Sequence, residues 1–131
     1  MQLNFRPALR ATTALSLAVS LLAGCASMAG EPAKVTDGVL TGPNGMSLYT
    51  FDKDAAGSGK SVCNGQCALN WPPLMAADSD TGRGDYSVIT RDDGKKQWAF
   101  KGKPLYYWVK DSKPGDRTGD GVNKVWQIAR P

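Results

Sequence analysis

The chain is 131 residues long, carries a formal net charge of +4, is 21% charged and contains no histidine. The missing imidazole removes the commonest general base and metal ligand, and with it any Ser-His-Asp or Cys-His arrangement. Acids and bases are interspersed, with no Lys/Arg block of the kind that forms a nucleic-acid patch, so no nucleic-acid partner is expected.

The N-terminus reads as an export signal. Arg6 and Arg10 supply a positive start, and an apolar run from Ala11 to Ala23 follows. That run is too short to cross a bilayer, which takes roughly 20 apolar residues. It ends in Leu22-Ala23-Gly24-Cys25, small residues of the kind signal peptidases accept. A cysteine directly after Leu-Ala-Gly resembles a lipobox, in which the thiol is acylated before cleavage. Residues 1–24 are therefore expected to be a lipoprotein signal peptide, with Cys25 the lipidated first residue of the mature chain. Two or three acyl chains give stable anchoring where one does not, at about 0.8 kcal/mol per buried CH₂. Ala26 would not retain the protein at the inner membrane of a Gram-negative cell. The expected address is thus the outer membrane, facing the periplasm.

Residues 25–34 are small and polar and read as a flexible tether. One small domain follows, residues 35–131. Val35 to Thr41 is β-prone, Gly42-Pro43-Asn44-Gly45 is a turn cluster, and Met46 to Phe51 alternates, which together predict a hairpin. A Gly/Ser loop over 54–61 leads to one helical turn between Cys63 and Trp71, ended by Pro72-Pro73. Beyond a loop over 76–85, strands are predicted at Tyr86–Arg91, Lys96–Lys101, Leu105–Val109 and Val122–Ala129. Asp- and Gly-rich turns separate them. No stretch sustains a 3.6-residue apolar period. Six or seven short strands argue an all-β barrel or sandwich.

The chain also repeats itself. Gly45-Met46-Ser47-Leu48-Tyr49-Thr50-Phe51-Asp52-Lys53-Asp54 aligns without a gap on Gly102-Lys103-Pro104-Leu105-Tyr106-Tyr107-Trp108-Val109-Lys110-Asp111. Each copy leads through a Gly-rich loop to a tryptophan, Trp71 or Trp126. Two copies suggest halves of about 35–75 and 86–131 related by a pseudo-two-fold axis. Within each copy Tyr and the next aromatic stand two apart, on one face of a strand, with the leucine facing the other way. The aspartate falls past the strand end, where it can accept backbone N–H groups of the loop. Tyr49, Phe51, Tyr106 and Trp108 are then core residues and Asp54 and Asp111 loop staples; the other reading makes these six a ligand-binding set.

On these residues the chain resembles the predicted lipoproteins with a Y-x-[FWY]-x-x-D motif, a secreted repeat of unknown function. The resemblance covers roughly 35–131. It rests on Leu48-Tyr49-x-Phe51-x-x-Asp54, then Cys63-x-Gly65-x-Cys67-Ala68-x-x-Trp71-Pro72-Pro73-Leu74 and Asp93-Gly94-x-x-Gln97. Pro104-Leu105-Tyr106-x-Trp108-x-x-Asp111 and Pro114-Gly115-Asp116 complete it. The chain departs from the pattern at Gly119-Asp120-Gly121, where relatives often carry Gln before the Gly. The resemblance implies an exported repeat domain and no activity.

Other chemistry is sparse. Gly57-x-Gly59-Lys60-Ser61 lacks the upstream glycine of a phosphate-binding loop. Cys63 and Cys67 are left to pair with each other in an oxidising compartment, as a structural disulfide. A redox pair is the alternative, although the three-residue spacing and the absence of a βαβ context oppose it. Met46 and Met75 are available as soft ligands, but nothing fixes their placement. Asp52, Asp54, Asp111, Asp116 and Asp120 lack the spacing of a calcium loop, which leaves at most weak calcium binding. An Asp54/Asp111 acid pair at hydrolase spacing is a third reading. The expectation is a monomeric, non-catalytic envelope lipoprotein with no cofactor and no metal. Its partners are the membrane, through its lipid, and an envelope protein or small ligand. A redox or metal-handling accessory using Cys63 and Cys67 is the alternative.

Overall fold

A computed structural model describes residues 30–131; the expected signal peptide, residues 1–24, and the expected lipidation site Cys25 lie outside the described residues. The first element is a tight hairpin. Strand β1 (Lys34–Thr36) pairs antiparallel with β2 (Val39–Thr41) across a two-residue turn at Asp37-Gly38. Both turn residues have positive φ, 49° and 79°. That is the mirror-image turn whose twist matches paired strands, and Asp-Gly is one of its preferred sequences. The expected partnership of 35–41 with 46–51 survives only in part, as a Thr41–Ser47 bridge flanked by bonds from the Leu48 N–H to the Leu40 carbonyl and from the Gly42 N–H to the Met46 carbonyl, both 2.9 Å.

Strand β3 (Tyr49–Phe51) turns instead to the far end of the chain and pairs with the last strand. A helix α1 (Gln66–Asn70) falls inside the expected helical turn, and β4 (Met75–Ala76) follows it. Strands β5 (Tyr86–Thr90) and β6 (Lys96–Phe100) form the longest hairpin, and β7 (Lys103–Pro104) adds to β6 across Lys101-Gly102. A single 3₁₀ turn (Val122–Lys124) precedes β8 (Trp126–Ile128).

The described residues are thus all-β, in three small antiparallel sheets: β1-β2, β3-β8, and β4-β6-β5 with β7 on β6. The expected barrel does not form among the described residues. Closure needs long, tilted, staggered strands, and these run two to five residues. Two predicted strands are also shorter than expected. Leu105–Val109 reduces to bridges at Tyr106, because its neighbour carries Pro72-Pro73, which offer no N–H to a ladder. Tyr107 and Val109 donate to the carbonyls of Pro72 and Asn70 instead, at 2.7 and 3.1 Å. The strand expected from Val122 starts at Trp126, since Asn123 and Lys124 adopt left-handed φ of 52° and 59°.

The core divides in two. One cluster is aliphatic around Trp98, holding Leu40, Leu48, Leu74 and Leu105. The other is aromatic, holding Tyr49, Trp71, Tyr106 and Trp126 with Val39, Cys63 and Ile128. The alternation within each repeat copy is what separates them: Leu48 and Leu105 face one cluster, Tyr49 and Tyr106 the other.

Candidate functional site: the crossed tyrosine–aspartate pairs

The two copies of the motif meet at their tyrosines. Tyr49 and Tyr106 form an antiparallel bridge and exchange both backbone bonds, at 2.8 and 2.9 Å. Both are fully buried. Each phenol then reaches the aspartate of the other copy. Tyr49 Oη donates to Asp111 Oδ2 at 2.6 Å, and Tyr106 Oη donates to Asp54 Oδ2 in a short bond. Hydrogen bonds to a carboxylate are roughly twice as strong as neutral ones.

The same carboxylates hold their own loops. Asp54 Oδ1 accepts from the Val62 N–H at 2.7 Å, and Asp111 Oδ1 accepts from the Thr118 N–H and hydroxyl at 3.0 and 2.6 Å. Each aspartate therefore joins the loop that follows it to the opposite strand. Each tyrosine oxygen has a second partner as well. Gly119 N–H donates to Tyr49 Oη at 3.2 Å, and Ser61 Oγ lies 2.6 Å from Tyr106 Oη.

The first half has an additional cation. Arg91 is buried and donates to Ser61 Oγ at 2.9 Å, to Gln97 Oε1 at 2.7 Å and to the Cys63 carbonyl. Gln97 Nε2 passes the chain on to the Leu105 carbonyl at 2.8 Å. Asp54, Tyr106, Ser61, Arg91 and Gln97 are thus one continuous network, and among the described residues no buried side-chain polar atom lacks a partner. Burial pushes the Asp54 carboxyl up, against the opposing effects of Tyr106, the Val62 amide and Arg91. Burial first, and then the bond to a carboxylate, pushes the phenols of Tyr49 and Tyr106 well above their ordinary value. They remain protonated donors over the whole physiological range.

The aromatic partners complete the set. Phe51 and Trp108 are half-buried and lie at the two ends of a row of stacked rings, with Trp126 and Trp71 between them. Cys63 and Cys67 form a disulfide across a Cα separation of 5.2 Å, with Cys63 buried against this cluster. The remaining acids serve loops. Asp116 accepts from the Ser112 amide, the Lys113 ammonium, the Ser112 hydroxyl and the Lys113 amide, which hold its carboxyl down at about 2. Asp120 accepts from the Ile128 N–H, and Asp52 from Gln127. Among the described residues no group of three or more histidine, cysteine or acidic side chains converges.

Of the six motif residues the sequence singled out, all are brought together, in crossed pairs and one ring stack. The residues that sequence reasoning missed are Arg91 and the pair Ser61 and Thr118. The hydroxyls carried a signal: they stand 57 positions apart, the same offset that relates Tyr49 to Tyr106. Arg91 carried none, since an arginine at the end of a strand reads as solvated.

An all-β fold braced by a twice-used Tyr/Asp motif defines a repeat domain. The chain belongs to the family described as a secreted repeat of unknown function, whose pattern it matches twice, over residues 32–75 and 87–130. No curated protein and no solved structure matches the chain.

Proposed function

We propose that the protein is a lipid-anchored, non-catalytic binding module of the cell envelope. The observation that carries this reading is the mutual use of the motif's polar groups. Tyr49 is spent on Asp111 and Tyr106 on Asp54, so the motif builds the fold and exposes no reactive group. A secreted family and a leader ending at Gly24, directly before Cys25, support export, acylation of Cys25 and residence at the outer membrane.

Ligand contact then belongs to the surface. A groove of about 330 Å³ lies between the β6–β7 turn and the end of β8. Phe100 and Ile128 give it an apolar wall, and Lys101, Lys103 and Arg130 line it with positive charge. Gln127 on its rim donates to Asp52 at 3.2 Å. Such a site suits a ligand that carries an anionic group beside an apolar one.

Two measurements test this. Labelled palmitate is incorporated by the wild type and not by C25S; equal labelling ends the lipid anchor. Titration of the full-length protein with carboxylate-bearing cell-wall fragments gives saturable binding. The triple change K101E, K103E and R130E weakens it by about tenfold or more, some 1.4 kcal/mol. Unchanged affinity ends the groove as the binding site.

A further inference from the structure

Three tryptophans and a phenylalanine stack in a row through the aromatic cluster. Phe51 lies on Trp126 (4.3 Å between centroids, 26°), Trp126 on Trp71 (3.8 Å, 6°) and Trp71 on Trp108 (4.0 Å, 24°). Burial alone does not call for this arrangement. Rings packed for hydrophobic reasons favour offset or edge-on contacts with centroids about 4.5–7 Å apart. Near-parallel rings at these separations maximise overlap of their π systems, which is the geometry through which single electrons pass between aromatic groups.

The two buried tyrosines meet this row edge-on. Tyr49 stands 5.5 Å from Trp71, and Tyr106 stands 5.2 Å from Trp126. Each has a carboxylate already accepting its phenolic proton in a hydrogen bond, Asp111 Oδ2 and Asp54 Oδ2. A phenol gives up an electron readily only when its proton can leave at the same time. Both requirements, an adjacent ring to take the electron and a base to take the proton, are met twice.

We propose that this cluster is a one-electron relay, which collects an oxidising equivalent at half-buried Trp108 and stores it as a tyrosyl radical on Tyr49 or Tyr106. The oxidant is an outer-sphere one-electron acceptor that meets the Trp108 face, and it is reduced by one electron. The hole passes from Trp108 to Trp71 and on to Trp126. Tyr49 returns an electron to Trp71 while its phenolic proton moves to Asp111; Tyr106 does the same toward Trp126 and Asp54. No heavy-atom bond is made or broken, and one electron from a reductant with return of the proton restores the start. Lys110, whose Nζ lies 5.6 Å from the Trp108 ring, disfavours a cation at the outer end and so drives the hole inward. The relay goes beyond the binding reading and does not depend on it.

The test uses the full chain in detergent with photogenerated tris(bipyridine)ruthenium(III) as oxidant, read by transient absorption and electron paramagnetic resonance. The wild type is expected to give a tyrosyl signal that forms after a tryptophan radical and forms more slowly in D₂O. W108F keeps the stack with a ring this oxidant does not attack, and is expected to lose the tyrosyl signal while keeping the wild-type near-ultraviolet circular dichroism. Y49F/Y106F is expected to leave the radical on tryptophan. The proposal is overturned if the wild type gives no tyrosyl radical, if formation shows no solvent isotope effect, or if W108F gives the same tyrosyl yield. The first two readouts need no variant to fold.

Discussion

Removing one oxygen atom, in Tyr106→Phe, isolates what the crossed pair contributes. The ring stays, and with it the edge-on contact to Trp126 at 5.2 Å and 88°. The hydroxyl takes with it the bond to Asp54 Oδ2 and the contact with Ser61 Oγ. Asp54 is buried and keeps only the Val62 N–H and the field of Arg91. A bond to a charged group contributes about 1.5–3 kcal/mol, and leaving a buried acceptor short of a partner falls at the upper end of that range. The expected loss is about 2–3 kcal/mol. At about 4–5 °C per kcal/mol for a domain of this size, Tm falls by roughly 8–15 °C. Tyr49→Phe costs less, because Asp111 retains both the amide and the hydroxyl of Thr118. Thermal and urea unfolding of wild type, Y106F, D54N and the double variant would give the coupling between the two groups, expected at about 1–3 kcal/mol. A Tm change in Y106F of less than about 2 °C would refute the reasoning. The motif would then have to act on something outside the fold.

Three other outcomes follow from the same geometry. All four tyrosines, Tyr49, Tyr86, Tyr106 and Tyr107, have phenols raised above their ordinary value, first of all by burial. Their stabilising contribution is complete below pH of about 10 and is lost as pH rises through the folded values, because the unfolded phenols ionise first. Urea midpoints should therefore fall between pH 9 and pH 11, less steeply in Y49F/Y106F; equal slopes would contradict the burial of these phenols. Replacing both Cys63 and Cys67 by Ala opens a four-residue separation and should cost about 2 kcal/mol, read as a lower urea midpoint that reductant no longer changes. Gly119→Ala puts a Cβ 2.8 Å from the Tyr49 ring and 3.0 Å from Trp71. Overpacking of this kind costs about 1–3 kcal/mol, and a midpoint equal to wild type would show that the Gly119 loop stands further from the cluster.

The sequence determined which residues matter but not which of them meet. The ungapped repeat picked out Tyr49, Phe51, Asp54, Tyr106, Trp108 and Asp111, and the period of two sorted Leu48 and Leu105 to one side of the chain and the tyrosines to the other. Both follow from strand geometry, which is local. The cysteine pair was legible for a similar reason, since four positions along one chain cannot lie far apart. Even local signals were overlooked where two competed: Asp37-Gly38 makes the first hairpin turn, although the Pro- and Gly-rich cluster at 42–45 reads more strongly as one.

Only the tertiary structure decided the rest. Strand β3 takes its partner from β8, 75 or more residues away along the chain, and each tyrosine takes the aspartate of the other copy. Nothing near Tyr49 in sequence distinguishes Asp111 from Asp54, because the two are equivalent by repeat. The choice is made by where the strands cross. Buried Arg91 and the stacking of Trp71 between Trp108 and Trp126 are likewise products of long-range packing. Alternation along a strand fixes the face on which a side chain lies; the ring or charge it meets there is set by the closing of loops dozens of residues long, which no local pattern encodes.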